Sequence, residues 1–283
     1  MTHDGPFHAD EVSACALLVL FDMIDRDKIF RSRDEEKLAI FDFVCDVGGI
    51  YEPKNHRFDH HQASYQGPLS SAGMILSYLF EEKVIEEKEY HFFRNSIIDG
   101  VDAHDNGLEN PKPGHSSFSN VVSNFQPVAQ SASKDCFEQA FFEALDFVIG
   151  HFSRLRERFK YYQDCLKYVA RCMEDFSGKD YLIFEQNLSW LESFFELGGE
   201  KHQARFIVMP SGSHWKLRAI PPSYEKRMQV REALPAHWAG LIGGDLEKAS
   251  GIPGAIFCHK GRFTSVWESK EAALQALEYV LEA

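Results

Sequence analysis

Apolar and polar positions change period several times along the first hundred residues. The run VSACALLVLFDMI, directly after HADE, is apolar on nearly every face and free of Pro and Gly, which predicts a buried helix from about residue 11 to 24. KIFRSR and FVCDV read as short strands on either side of a helical DEEKLAIF, and RFDHH follows the turn signal EPKNH. SSAGMILSYLFEEKVI is helical, with Ser70 or Ser71 as its natural N-cap. EKEYHFFRNSIIDGVDAHDNG continues as a further helix that stops at Asn106-Gly107. Strands alternating with helices predict an α/β domain with a mainly parallel sheet, whose sites lie at the carboxyl ends of the strands.

Residues 107–134 are rich in Pro, Gly, Ser and Asn, and a loop of that length is usually functional or a linker. A long helical block over 135–176 follows, with Phe137, Phe141, Leu145, Val148, Phe152, Leu155, Phe159, Tyr162, Leu166, Val169 and Met173 recurring at spacings of three and four. That stripe is core packing. The segment SGKD marks a boundary, so the expected domains are 1–177, which includes the helical block, and 178–283. In the second, ARFIVMP and HWKLRAI flank the turn SGS as a hairpin. GAIFCHKGRFTSVW reads as a strand pair around Lys260-Gly261, and SKEAALQALEYVLE closes the chain as an amphipathic helix. This is a smaller α+β domain.

Composition narrows the classes. At 283 residues with 44% hydrophobic content, the chain can bury sizeable cores. No apolar run reaches membrane-span length and no secretory signal opens the chain. Six cysteines without a C-x-x-C pair read as reduced thiols of a cytoplasmic protein, which excludes zinc-ribbon and disulfide scaffolds. The net charge of −13 is uneven. Residues 1–177 hold 18 Lys+Arg against 30 Asp+Glu, whereas residues 202–262 hold 9 basic and 4 acidic residues. An acidic half that holds cations, followed by a basic tract, suits a metal-dependent enzyme acting on phosphates better than a protein that wraps long nucleic acid.

The candidate chemistry is a scattered set of His and Asp residues. His3, Asp46 and His60 fall where predicted strands run out, and Asp10 and Glu11 where a helix begins. Together His3, His8, Asp10, Asp46, His60, His61, Asp102 and Asp105 are hard or intermediate ligands without thiolates, a mix that suits manganese, magnesium or iron. They exceed the needs of one ion. Two ions about 3.5–4 Å apart would need a bridging carboxylate, and such a pair clamps both oxygens of an in-line displacement.

The order His3…His8-x-Asp10, Asp46 in DVGG, Asp59-His60-His61 and then Asp102 resembles the four motifs of the DHH phosphoesterase superfamily. Within it, THDGPFHADE, VCDVGGIYEP, RFDHHQ, PLSSAG, VDAHDNG and GIPGAIFCHKGRF resemble the Myg-type exonuclease family, named for melanocyte proliferating gene one, over nearly the whole chain. The resemblance implies a two-domain fold, a DHH-type parallel-sheet domain holding two divalent cations (Mn2+ first, Mg2+ or Fe2+ as alternatives), and 3′–5′ exonuclease activity on RNA or short oligonucleotides. It also implies roles. His3, His8 and Asp10 match first-motif ligands, Asp46 the bridging carboxylate, His60 a ligand, and Asp102 the last carboxylate, with Asp105 ranked second. His61 matches the residue facing the phosphate, and Asp59 orients the histidine pair. Two departures stand out. Superfamily members carry a full strand before the first histidine, whereas Met1 and Thr2 alone precede His3 here, so either the start lies downstream or the strand is absent and His3 loosely held. His8 also replaces a common aspartate, which favours manganese or iron.

On the substrate side, Lys216, Arg218, Lys226, Arg227, Arg231, Lys260 and Arg262 form the basic tract, and guanidinium forks suit phosphate. CHKGRF combines His259, Lys260 and Arg262 with a glycine that permits close backbone approach, and the resemblance supports His259 most. Ser70 and Ser71 at a helix N-terminus offer an anion site. Trp215, Trp238 and Phe263 are candidates for base stacking or core packing. Alternatives are a phosphohydrolase of pyrophosphate or cyclic dinucleotides, and a non-catalytic nucleotide-binding protein. The long helical block offers a surface for pairing two copies as a homodimer.

Overall fold

The apolar run after His8 forms α1 (Ala9–Leu20), whose Val12, Ala14, Ala16 and Leu17 are wholly buried. It stops short of residue 24 because Asp22 takes a left-handed backbone, φ 58°. The computed structural model describes residues 1–110, 112–128 and 133–282.

DEEKLAIF yields only the single turn α2 (Glu35–Leu38), capped by Asp34, whose carboxylate accepts from the Glu36 amide. KIFRSR makes no named strand. Arg31 bridges Thr2 in parallel, and that is all the pairing it makes. FVCDV and RFDHH yield strands of two residues each, β1 (Val44–Cys45) and β3 (Arg57–Phe58), and an unexpected third, β2 (Tyr51–Glu52), lies between them in the chain. They form a sheet in the order β1-β3-β2, with β1 parallel to β3 and β2 antiparallel to it.

Met1 and Thr2 sit between neighbours on both sides. The Cys45 amide donates to the Met1 carbonyl (2.9 Å), the Thr2 amide to Phe30 (3.0 Å), and the Ser32 amide to Thr2 (2.8 Å). Of the two alternatives, a loosely held His3 does not fit, since the backbone just before it is hydrogen-bonded across two neighbouring segments.

The next predicted pair of helices appears as α3 (Ser71–Glu81), then α4 (Glu87–Phe93), a π-helical turn Arg94–Ile98, and α5 (Asp99–Asp105). The wider turn changes the phase of the face that α5 presents. The predicted loop 107–134 contains a short helix, α6 (Phe118–Ser123), capped by Ser117. Residues 111 and 129–132 of that loop lie outside the described residues. The long block is one 41-residue helix, α7 (Lys134–Glu174).

The chain divides into two compact units, Met1–Phe159 and Lys160–Ala283. The division falls inside α7, not at 177, because packing assigns the two ends of the helix differently. Phe141, Leu145, Val148 and Phe152 join the first core with Phe7, Leu17, Phe58, Met74 and Phe93, whereas Val169 joins Leu182, Phe184, Trp190 and Phe194.

The second unit is built from β4 (Tyr181–Ile183), α8 (Trp190–Glu196), β5 (Phe206–Ser211), β6 (His214–Ala219), α9 (Gly244–Ser250), β7 (Ala255–Cys258), β8 (Thr264–Trp267) and α10 (Lys270–Glu282). Its sheet runs β4-β5-β6-β8-β7, with β4 and β5 parallel and the other pairs antiparallel. Strand alternation sends Phe206, Val208, Leu217 and Ala219 to a core shared with α10, and Ile207 and Met209 to the opposite face. The predicted hairpin turns at Gly212, whose φ of 64° the turn requires. Among the described residues no helix is long and apolar enough to cross a membrane, and all six cysteines are free.

Candidate metal centre

Three short segments of the first unit, the 3–11 turn into α1, the Asp46 loop and the Asp59-His60-His61 run, converge with the end of α5. Their donor atoms fall into three groups whose members lie within 4.8 Å of one another: His3, His8, Glu11 and Asp46; Asp46, His60 and His61; and Asp10, His60 and Asp105. Asp46 and His60 each belong to two groups.

The chain places these groups by ordinary local devices. Glu11 closes the first turn of α1 by accepting the His8 amide on both carboxylate oxygens, each at 3.0 Å. Its Oε1 also lies 3.0 Å from His3 Nε2, which is 3.3 Å from Asp46 Oδ2. Asp46 sits where β1 ends with φ at +59°, a left-handed conformation costly for a residue with a Cβ. Beyond Val47, Gly48 and Gly49 also take positive φ, and the Gly49 amide donates to Asp59 Oδ2 at 2.6 Å. Asp59 Oδ1 accepts the His61 amide (3.0 Å) and faces its Nδ1 at 2.8 Å. Asp59 thus holds both the backbone and the ring of His61. His61 remains largely exposed, with 63% of its side chain open, against 7% for His60.

His60 Nε2 lies 2.9 Å from Asp105 Oδ2, 3.5 Å from Asp46 Oδ1 and 3.9 Å from Asp10 Oδ2. Yet neither His60 Nε2 nor Asp46 Oδ1 makes a hydrogen bond, although both atoms are buried. Buried donors and acceptors that crowd without hydrogen bonding are a standing cost unless a cation completes them. This orphaned pair is the test of fit, and the donor set passes it: imidazoles and carboxylates without thiolate are able to hold a divalent cation.

Without a cation the charges compensate one another. Burial opposes the charged form of His3, but Asp46 and Glu11 outweigh it and push the imidazole up to about 10. Burial likewise opposes charging of His60, and Asp105 and Asp46 raise it to about 10. Burial would raise Asp46, but His3 and His60 pull it to about 2. Asp10 is driven well above the usual carboxyl range, first by burial and then by the charges of Asp46 and Asp105.

Asp102 goes elsewhere. Its Oδ1 accepts the Ser70 hydroxyl (2.7 Å) and the Ser70 and Gly73 amides (both 3.1 Å), and it joins none of the three groups. A methyl at position 73 would lie 2.2 Å from Asp102 Oδ2, so glycine lets α3 close onto this carboxylate. Asp105, one helical turn on, takes the place beside His60. The geometry thus brings Asp105, ranked second, beside His60, and leaves Asp102 at the start of α3 with its Oδ2 buried and without a hydrogen-bond partner. Ser70 and Ser71 also depart from the expected substrate role: both are wholly buried. The start of α3 already faces Asp10, whose Oδ1 lies 2.5 Å from the Ser70 hydroxyl oxygen and whose carboxylate accepts the Ser71 and Ala72 amides (2.9 and 2.6 Å). Ser71 Oγ donates to the Phe58 carbonyl at 2.8 Å. A protein carboxylate fills the anion site.

In the second unit, Arg218 stacks over Phe263 at 4.3 Å, and Lys216 stands two residues away on β6. Burial lowers the pKa of both, and for Lys216 the Arg218 charge adds to it. His259 packs on Phe263 at 4.2 Å, and Arg262 takes φ +55° at the β7–β8 turn, with Lys260 exposed beside it. Arg231 is not available to a substrate: it donates to the carbonyls of Gly199, His202, Ala204 and Pro221. Trp238 is core.

Glu11 is the ligand-group member that falls outside the sequence-based ligand set. The capping spacing His8-x-x-Glu11 is its only signal, and that spacing alone points to a helix start.

An α/β unit whose loops gather His and carboxylate donors into overlapping clusters belongs to the class of proteins equipped to hold divalent cations. The chain belongs to the MYG1 exonuclease family, whose sequence model, described as "Uncharacterised protein family (UPF0160)", matches residues 1–281. It is 49% identical over 281 residues to the MYG1 protein of Chlamydia muridarum, covering 99% of this chain and 96% of the relative. It is also similar to the MYG1 exonuclease of Homo sapiens (32% identity over 316 residues, 96% of this chain and 83% of the relative) and to that of Rattus norvegicus (31% over 316 residues, 96% and 82%).

Proposed function

We propose that this chain is a divalent-cation-dependent phosphodiesterase with a DHH phosphoesterase-type first unit, working as a 3′–5′ exonuclease that releases nucleoside 5′-monophosphates from RNA or short oligonucleotides. The observation that carries the reading is the double membership of Asp46 and His60, which links three donor clusters into one site. The exonuclease names of the human and rat relatives support the reaction class.

His3, His8, Glu11, Asp46, His60, Asp10 and Asp105 would hold two cations, with Mn2+ favoured by the imidazole share. Bound divalent cations supply Lewis-acid polarisation of phosphoryl oxygens and ready deprotonation of water. The chain's own groups do the rest. Asp59 fixes the exposed His61 ring at Nδ1 and raises its pKa, which favours the imidazolium whose Nε2 donates to a phosphoryl oxygen as negative charge grows there. Asp10, held by the Ser70 hydroxyl and two amides, keeps the wall of the site rigid. In the second unit, Lys216, Arg218, Lys260 and Arg262 are the cations on offer to phosphate, and His259 adds an Nε2–H donor beside them. Neither Lys216 nor Arg218 has a carboxylate partner among the described residues, as expected of half-buried cations that await an anion.

The test is product sizing on 3′- and 5′-labelled oligoribonucleotides, with and without chelator. Asp46→Ala and His60→Ala should lose at least ~10³-fold in turnover while remaining folded, the scale of removing a key transition-state group. Full activity in either folded variant, or in thorough chelator, would remove the proposal. Phosphate release from pyrophosphate with no nucleotide product would replace it with small-molecule phosphohydrolysis.

A further inference from the structure

Beside the DHH run lies a cleft of about 270 Å³ that none of the roles above uses, lined by Gly49, Ile50, Tyr51, Gln62, Ser64 and Tyr65 and by Glu52, whose carboxylate accepts from Asn55. Two of its walls belong to the cation-holding loops. Gly49 is the amide that anchors Asp59, and Gln62 directly follows His61 and donates from Nε2 to the Asp59 carbonyl at 2.9 Å. The cleft therefore shares its loops with Asp59, the residue that holds His61.

Its aromatic walls are built, not incidental. Tyr51 and Tyr65 meet edge to face with centroids 5.5 Å apart, and Tyr51 also rests against the buried Phe58 at 6.5 Å. The Tyr65 hydroxyl accepts the Leu69 amide at 3.2 Å, and the Tyr65 amide donates to Gln62. Gly67 allows this ring position, because a methyl there would lie 2.4 Å from the Tyr65 hydroxyl oxygen and 2.6 Å from Cζ. Gln62 Oε1 is buried without a partner, so the amide is oriented by Asp59 alone. A flat, half-polar ligand attached to a phosphate suits such a cleft, since every base has a π-face to set against an aromatic ring.

We infer that the Tyr51–Tyr65 cleft is the subsite for the nucleobase of the nucleotide whose phosphate occupies the candidate centre. This deepens the phosphodiesterase reading and rests on it. The subsite tolerates different bases, because it grips by stacking and offers no paired set of donors and acceptors to one base edge. It also gives a physical reason for a nucleic acid to be preferred over pyrophosphate, which has nothing to place there.

The experiment is titration calorimetry of the Mn2+-loaded protein with adenosine 5′-monophosphate and with ribose 5-phosphate, which lacks the base. The adenine compound should bind about tenfold or more tightly, the scale of one stacked base. Tyr51→Leu, Tyr65→Leu and Gly67→Ala should each remove most of that advantage and leave ribose 5-phosphate binding unchanged. Tyr65→Phe, which keeps the ring, should retain it. Equal binding of the two probes to the unaltered protein, or unchanged adenine preference in folded Tyr51→Leu and Tyr65→Leu, overturns the subsite while oligonucleotide cleavage still supports the phosphodiesterase. Failure of both probes to bind, with no cleavage, overturns both.

Discussion

The carboxylate of Glu11 has two tasks: it closes the first turn of α1 on the His8 amide and it faces the His3 imidazole. Glu11→Gln separates them, since the amide oxygen can still accept from His8 while the charge is gone. We expect a modest stability change, ~1 kcal/mol as for a cap residue, with Mn2+ affinity falling at least tenfold by titration calorimetry. Unchanged affinity would place Glu11 outside the centre. At this scale the sequence announces residue types well and their pairings poorly. Asp46, His60 and Asp59 stand out through motif order, whereas Asp102 and Asp105 differ only in which side of one helical turn meets α3. No linear spacing distinguishes them.

Among the elements, helices were the most legible, because an apolar period over ten or more residues leaves little choice. The strands that carry the centre were hard to place for the opposite reason. Two-residue strands such as β1 and β3 have no period to read, and KIFRSR, apolar enough for a strand, contributes a single bridge. The π-helical turn before α5 was also invisible, as it is one extra residue in an otherwise regular helical pattern.

In the second unit, His202 sits against Phe176 and Phe194, at 4.3 and 5.5 Å, and accepts the Ala204 amide at Nδ1. Burial, then the nearby Arg231 charge, holds its pKa below the ordinary 6.5. A histidine depressed on folding is neutral in the folded chain. Its full share of stability is present above pH 6.5 and declines below it, as the unfolded chain takes up the proton more readily. Urea unfolding at pH 5 and pH 7.5 should show a smaller acid loss in His202→Phe than in the parent, even if the variant starts lower. An unaltered acid slope would clear His202 of the role.

For the whole molecule, the division into two units with separate cores, and the confinement of all three donor groups to the first, have a joint consequence. Scanning calorimetry should resolve two transitions, and Mn2+ should raise only one. At a hundred times the dissociation constant the expected stabilisation is about 2.7 kcal/mol. A single transition that moves as a whole would contradict separate cores. The acidic bias of residues 1–177 marks the cation-holding half. The place where packing changes allegiance, inside α7, could not be seen, because the apolar stripe runs unbroken through residue 159.

The backbone at residue 46 prefers glycine, while the chemistry proposed for that spot demands a carboxylate. Relaxing it to glycine would relieve about 1 kcal/mol of steric penalty and sever the link between neighbouring clusters. Copies of this chain screened only for sturdiness would drift towards well-folded, inert proteins, with their first lapse hidden at a single loop position.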